Sequence, residues 1–265
     1  MLYCRLRTVN GPRYASIEDR DGAPWATVLI APPPESRVAY DIAEGFSPVA
    51  LAEATLLPPV EPSKIVCVGR NYRDHAAELG NEVPSAPLLF FKPPSSLLAP
   101  GAAIRLPVQP SRVDFEGELA VVIGRQARAL RADTDLRPYI RGYTIVNDVT
   151  ARDLQKSDGQ WTRAKGFDTF CPCGPIVSSE LIPSAGVIVE TRLNGERKQY
   201  GTTRDFIFSI PHLLVYITAC MTLEPGDLIP TGTPAGVGPI SAGDTVEVGI
   251  EGLGILSNPV VQGTE

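Results

Sequence analysis

Asp114-Phe115-Glu116-Gly117-Glu118-Leu119-Ala120-Val121-Val122-Ile123-Gly124 sets two carboxylates directly against an unbroken apolar run. Five apolar residues closed by a glycine read as a buried strand over 118–124. If the strand starts at Phe115, Glu116 and Glu118 project from one face, opposite Phe115 and beside the core. Two like charges in that position repel and call for a positive partner. A hard divalent cation (Mg²⁺, Mn²⁺ or Ca²⁺) suits an all-oxygen pair better than zinc does. Taken alone, the pair is more simply a solvated strand start with a glycine kink, so the rest of the chain has to decide.

Outward from this run, 64–68, 88–92 and 142–146 read as further strands. The alternating segment 187–193 ends at Asn194-Gly195, a dipeptide suited to the left-handed angles of a type I′ turn, and 196–200 returns as its hairpin partner. One substantial helix is expected over about 211–221, with Ser209 as cap, Pro211 in the first turn and Glu224-Pro225-Gly226-Asp227 as its stop. Residues 1–58, where Gly11-Pro12 and Asp21-Gly22 punctuate short strands, read as a small N-terminal β domain. Prolines then stiffen 57–62 into an extended linker, and 59–265 forms the larger second domain. The fold class is therefore mixed α+β and mainly β, and the 26 prolines scattered among short apolar runs fit such a loop-rich β protein.

Composition narrows the function. The 265 residues carry 24 basic and 30 acidic side chains, a formal charge of −6, without any run of Lys or Arg. A nucleic-acid surface needs clustered positive charge, so no nucleic-acid partner is expected and a small-molecule site is the better expectation. Apolar runs such as 119–123 and 187–189 fall far short of the roughly 20 residues of a membrane span. The first residues show no apolar secretion-signal core, so the expected compartment is the cytoplasm and the five cysteines are expected as reduced thiols. Cys171-Pro172-Cys173 reads as two small packed residues around a rigid proline in preference to half of a zinc site.

Other carboxylates and bases are spread along the chain. Asp148, in Asn147-Asp148-Val149-Thr150-Ala151-Arg152-Asp153, sits where a strand passes toward a short helix, and its residue type serves equally as helix cap or as cation ligand. His75 and Glu78, three apart in a short helix between Gly69 and Gly80, share one face. A carboxylate beside an imidazole favours general-base work near neutral pH, although an exposed surface pair has the same spacing. His212, at the start of the longer helix, lacks an acidic neighbour in sequence and reads as a core or cap residue. Lys165 is one of only five lysines. It lies among aromatics in Trp161-Thr-Arg-Ala-Lys-Gly-Phe-Asp168, where a partly desolvated ammonium can steady an oxyanion; a surface loop lysine is the plainer reading. Pro230–Gly238 lacks the GK[ST] of a phosphate loop and reads as a loop that offers backbone donors.

Taken together, Gly69-Arg70-Asn71-Tyr72 with His75 and Glu78, Asp114–Glu118, Asn147–Asp153, Lys165–Pro172 and Thr231–Gly238 resemble, in order, the motifs of the fumarylacetoacetate hydrolase family. The likeness is to its acylpyruvate hydrolase and 2-hydroxyhepta-2,4-diene-1,7-dioate isomerase members. The resemblance runs from about residue 64 to 238, and 1–58 match only loosely. It implies a β roll with a small N-terminal β domain, usually homodimeric, holding Mg²⁺ or Mn²⁺ through Glu116, Glu118 and Asp148. It further implies that His75 with Glu78 activates water or moves protons, and that Lys165 stabilises the developing anion. Arg70, Gln155 and Thr233 are the implied contacts to substrate oxygens, and 70–78 matches the family's lid.

Members of that family act on 2-oxo acids through an enolate that such a cation steadies. The expected activity here is C–C hydrolysis of an acylpyruvate-type 2,4-dioxo acid. Dienedioate isomerisation and oxaloacetate-type decarboxylation are the alternatives on the same residues. Two unlike readings stand beside these: a non-enzymatic β module that binds a structural cation, and a cysteine hydrolase built on Cys171 or Cys173.

Overall fold

The computed structural model describes residues 1–33, 41–78, 80 and 82–263. Residues Leu2–Thr8 (β1), Gly11–Arg20 (β2) and Ala23–Val28 (β3) form a meander, followed by the short β4 (Val49–Ala50) and β5 (Leu56–Leu57). Next come β6 (Ile65–Gly69), the helix α1 (Arg73–Glu78), β7 (Leu88–Lys92), β8 (Leu97–Leu98) and β9 (Ile104–Leu106). The central stretch holds β10 (Val113–Phe115), β11 (Gly117–Ile123), β12 (Ile140–Asn147), β13 (Thr150–Ala151), α2 (Arg152–Ser157) and α3 (Thr162–Lys165). It is followed by β14 (Cys171–Ser178), the hairpin β15 (Ile188–Leu193) and β16 (Glu196–Thr202), and the helix α4 (Ile210–Cys220). Four strands close the chain: β17 (Leu228–Pro230), β18 (Gly238–Pro239), β19 (Thr245–Ile250) and β20 (Gly254–Gln262).

These strands make three sheets. The largest runs β4-β3-β2-β1-β14-β12-β11-β17-β6-β7, with β5 on β1 and β8 on β14; a second is β13-β10-β18, and the third is β16-β15-β19-β20-β9. The first strands are thus joined to the rest by β1 on β14, Leu2 facing Ser178 and Tyr3 facing Val177. The proline-rich stretch after them packs on the sheet, with Val60 only 1% exposed.

The unbroken apolar run of β11 has a direct cause. Leu119, Val121 and Ile123 face one core, shared with α4 through Leu213, Leu214 and Ile217. Ala120 and Val122 face another, shared with Cys67, Val146, Cys171 and Cys173. A strand buried on both faces has no solvent side to fill with polar residues, and each large side chain so placed contributes about 1.5–3 kcal/mol.

The strand does not begin at Phe115, however. Glu116 lies between β10, which belongs to the small sheet, and β11, which belongs to the large one. Phe115 and Leu119 are drawn into different cores, so the chain bends between them. Gly117 permits the bend: a Cβ there would lie 2.1 Å from Thr191 Oγ1 and 2.9 Å from Val248 Cγ1. Gly117→Ala is expected to destabilise the cation-free protein by about 2 kcal/mol through overpacking, read as a lower urea midpoint at unchanged slope.

The hairpin follows its turn chemistry, with Asn194 at φ 53° and Gly195 at φ 80°. Helix α4 starts one residue earlier than expected, and Ser209 caps it by accepting the His212 N–H. No helix among the described residues is long and apolar enough to cross a membrane.

Candidate active site

The bend at Glu116 brings it to the end of β12. Asp148 donates its N–H to the Glu116 carbonyl (2.8 Å), and the Glu116 N–H donates to Asn147 Oδ1 (2.9 Å). Glu118 opens β11 on the same side. One ligand oxygen each from Glu116, Glu118 and Asp148 lies within 4.8 Å of the others, and all three residues are buried. Asp148 is not a helix cap: β13 intervenes, and α2 starts after Ala151 without a side-chain cap.

Three buried cations surround this cluster. Lys165 Nζ donates to Glu116 Oε2 (2.8 Å) and Asp148 Oδ2 (2.7 Å), and lies 4.8 Å from the centre of the Phe90 ring. Lys92 Nζ donates to Asp148 Oδ1 (2.6 Å) and the Val149 carbonyl (3.1 Å). Arg152 Nη2 lies 2.6 Å from Glu116 Oε1, while its Nε donates to Asp114 Oδ2 (2.8 Å) and its Nη1 to Gln155 Oε1 (3.0 Å).

Burial alone would raise the Glu116 pKa, but Lys165 and Arg152 outweigh it and hold the carboxyl below its ordinary range. Burial would likewise discharge Lys165, yet Asp148 and Glu116 keep its ammonium charged more firmly than usual. Glu118 is the exception. It accepts the Gly232 N–H (2.7 Å), and burial, followed by the charges of Asp148 and Glu116, pushes its carboxyl well above the usual range. A cluster of three buried carboxylates, one of them with no ammonium or guanidinium hydrogen-bonded to it among the described residues, has the donor chemistry that suits a hard divalent ion. Glu116, Glu118 and Asp148 fit that role.

On the other wall, β6 ends at Gly69, beneath Trp161 and Leu88, and the chain turns through Arg70 at φ 58°. A left-handed arginine is strained, and such strain concentrates at functional sites. Asn71 fixes the turn: its amide nitrogen donates to the Thr231 (2.8 Å) and Phe208 (3.1 Å) carbonyls, and its Oδ1 accepts the Phe208 N–H (2.7 Å). Helix α1 follows at once and places His75 Nδ1 3.2 Å from Glu78 Oε2. His75 is 4% exposed. The other Glu78 oxygen accepts the Gly236 N–H (3.0 Å), so Pro230–Gly238 offers one backbone donor to Glu118 and another to Glu78.

The nine site residues that the family resemblance implies, Arg70, His75, Glu78, Glu116, Glu118, Asp148, Gln155, Lys165 and Thr233, line one cavity of about 510 Å³. Thr233 is largely committed to the protein, donating to the Gly117 carbonyl (2.9 Å) and accepting from Gln199 Nε2 (2.7 Å). Sequence reasoning overlooked Lys92, Arg152 and Gln199 as parts of the site. Arg152 stood in a quoted motif, and Lys92 was conspicuous only as a rare lysine before Pro93-Pro94. Cys171 and Cys173 lie in the core at 0% exposure. Burial pushes the Cys171 thiol up to about 12 and Cys173 well above its ordinary value, which leaves no thiolate nucleophile near neutral pH.

A mainly β fold thus sets a buried three-carboxylate cluster, able to hold a cation, in one cavity with a histidine–glutamate pair. The family model for the fumarylacetoacetate (FAA) hydrolase C-terminal region matches residues 64–261, and the chain belongs to the FAA hydrolase family. Its relatives include oxaloacetate tautomerase YisK of Bacillus subtilis, 43% identical over 80% of this chain and 74% of that protein. Another is the mitochondrial oxaloacetate decarboxylase of Dictyostelium discoideum, 46% identical over 72% of this chain and 89% of that one. The 2-hydroxyhepta-2,4-diene-1,7-dioate isomerase of Mycobacterium marinum superposes with a TM-score of 0.87 at 43% identity, covering 100% of both chains. Maleylpyruvate hydrolase of Sphingobium sp. SYK-6, solved with manganese(II) and pyruvate, superposes with a TM-score of 0.71 at 34% identity over 83% of this chain and 78% of that one.

Proposed function

We propose that the chain is a divalent-cation-dependent enzyme that moves a proton at the carbon beside the oxo group of a 2-oxo acid bearing a second carboxylate, with oxaloacetate as the first candidate. The observation that carries this reading is the shared cavity: the His75–Glu78 pair and the three-carboxylate cluster open onto one space. Arg70 and Lys156 line it too, and neither has an acidic partner among the described residues. Two relatives of more than 40% identity that are named for oxaloacetate support the substrate class.

A bound cation would supply Lewis-acid stabilisation of negative charge on the substrate's oxo oxygen. The chain's own groups do the rest. Glu78, held by the Gly236 N–H, orients the imidazole through Nδ1 and leaves Nε2 to take the carbon-bound proton and return it. The Lys165 ammonium offsets the charge of the enolate as it develops. Arg70 and Lys156 bind the carboxylates, and Phe90 and Trp161 form the apolar wall that limits water.

Hydrolysis of an acylpyruvate is the second reading, favoured by the neighbour solved with manganese(II) and pyruvate. In it His75 takes a proton from water, the hydroxide adds to the distal carbonyl, the C–C bond breaks and pyruvate departs as its enolate.

The test incubates metal-stripped protein, with and without Mg²⁺ or Mn²⁺, with oxaloacetate, acetylpyruvate and a hydroxyhexadienedioate, against controls of cation alone. Protein- and cation-dependent enol–keto exchange or CO₂ release from oxaloacetate is expected. Pyruvate and acetate from acetylpyruvate, with oxaloacetate untouched, would replace the first reading by the second. Tight cation binding with no turnover of any of the three would favour the non-enzymatic module.

A further inference from the structure

Each carboxylate of the cluster has one oxygen held from outside. Asp148 Oδ1 accepts from Lys92 Nζ (2.6 Å), Glu118 Oε2 accepts the Gly232 N–H (2.7 Å), and Glu116 Oε1 faces Arg152 Nη2 (2.6 Å). The opposite oxygens of Glu116 and Asp148 meet at a single point, the Lys165 ammonium that bridges them. Glu118 has no other hydrogen-bond donor among the described residues. Lys165 lines the cavity and Lys92 does not, so once a cation displaces the Lys165 ammonium the cluster presents one oxygen per carboxylate toward the cavity, and the outer donors hold the second one back.

That division matters for the choice of ion. Ca²⁺ takes about 6–8 oxygens and readily uses both oxygens of a carboxylate, whereas Mg²⁺ demands a near-octahedral shell of single oxygens and keeps several waters. We propose that Lys92 is a specificity-determining residue for the cation: by holding Asp148 Oδ1 it limits Asp148 to one ligand oxygen and so favours Mg²⁺ and Mn²⁺ over Ca²⁺. The proposal rests on the cation reading of the cluster. Lys92 is suited to the task because its ammonium is anchored twice, at Asp148 and at the Val149 carbonyl. Its side chain is fully buried at the end of β7, so it cannot swing aside as Asp148 turns. Among the outer donors it is also the one that substitution isolates. Gly232 donates from the backbone, and Arg152 additionally holds Asp114 and Gln155.

Calorimetric titration of Mg²⁺ and of Ca²⁺ into the full chain tests this without reference to turnover. Lys92→Met frees Asp148 Oδ1 and is expected to raise the ratio of Ca²⁺ to Mg²⁺ affinity about tenfold, since ligand count tunes Ca²⁺ sites over decades. Lys92→Arg restores a donor on that oxygen and is expected to keep the wild-type ratio. Loss of a buried positive charge alone would strengthen both ions in parallel, and a parallel rise overturns the proposal while leaving the cation reading intact. If Lys92→Met does not fold, infrared carboxylate bands of the ¹³C-aspartate-labelled wild-type chain decide instead. A single-oxygen signature on adding Ca²⁺ supports the proposal, and a bidentate aspartate band overturns it. A wild-type chain that binds neither ion overturns it together with the cation reading.

Discussion

Glu118→Gln is expected to make the cation-free protein more stable while sharply weakening its binding of Mg²⁺ or Mn²⁺. Glu118 is 2% exposed, lies beside two other carboxylates, and accepts one backbone N–H, with no ammonium or guanidinium hydrogen-bonded to it among the described residues. The amide of glutamine keeps an oxygen for the Gly232 N–H and removes the cost of either burying a charge or holding a proton there. A gain of about 1 kcal/mol at neutral pH is expected, on the scale of stability traded for function at such sites. The dependence on pH has a fixed sign. Burial, then Asp148 and Glu116, raise the folded pKa of Glu118 well above its ordinary value, so the folded state holds this proton more tightly than the unfolded one. Its contribution is present in full below the unfolded carboxylate pKa of about 4.3 and is lost as pH rises through the folded value. The advantage of Glu118→Gln over the wild type should therefore grow as pH rises. Cation affinity should fall by roughly a hundredfold or more, beyond what loss of an outer hydrogen-bond partner costs a metal site. Thermal melts across pH, with and without Mn²⁺, check both halves. A variant that is less stable at every pH and still gains stability from Mn²⁺ would sink the ligand assignment.

How far the sequence exposed this site depends on how local each part is. Glu116 and Glu118 were legible because they stand side by side against an apolar run. His75 and Glu78 were legible because three residues of helix bring them together without help from the rest of the chain. The fate of Glu116 was not, since the bend after Phe115 depends on Thr191 and Val248 packing against Gly117, contacts that no period in the sequence reports. The role of Lys92 was illegible for the same reason, its partner Asp148 lying 56 residues on. Strands β6, β11 and β12 could be read one at a time from their apolar runs. Their neighbours in the sheet could not, because β17 lies between β6 and β11 and arrives only at the end of the long excursion through α4. The backbone donors of Gly232 and Gly236 occupy a middle ground: their loop announced itself by composition, but the acceptors Glu118 and Glu78 come from opposite walls of the cavity.

His75→Ala should lower kcat by about 10²–10⁴-fold, the range for loss of a general acid–base group, while leaving Mn²⁺ affinity unchanged, because His75 belongs to α1 and the cluster to the β10–β12 region. The more discriminating variant is Glu78→Gln. Its amide oxygen can still accept the Gly236 N–H, so the docking of α1 survives, but its amide nitrogen then faces His75 Nδ1 and donates to it. The imidazole must answer with a lone pair at Nδ1, which places its proton on Nε2 and leaves no base toward the cavity. If the pair works as a unit, Glu78→Gln should lose nearly as much kcat as His75→Ala, and the double variant should be little worse than either alone, since groups in one proton relay are strongly non-additive. If instead the two merely share a helix face, Glu78→Gln should retain most of the wild-type kcat and the two effects should multiply. Single-turnover rates of the four proteins on the same substrate, at saturating cation, separate these outcomes, and unchanged cation affinity in all four would assign the loss to proton transfer, with assembly of the cluster intact.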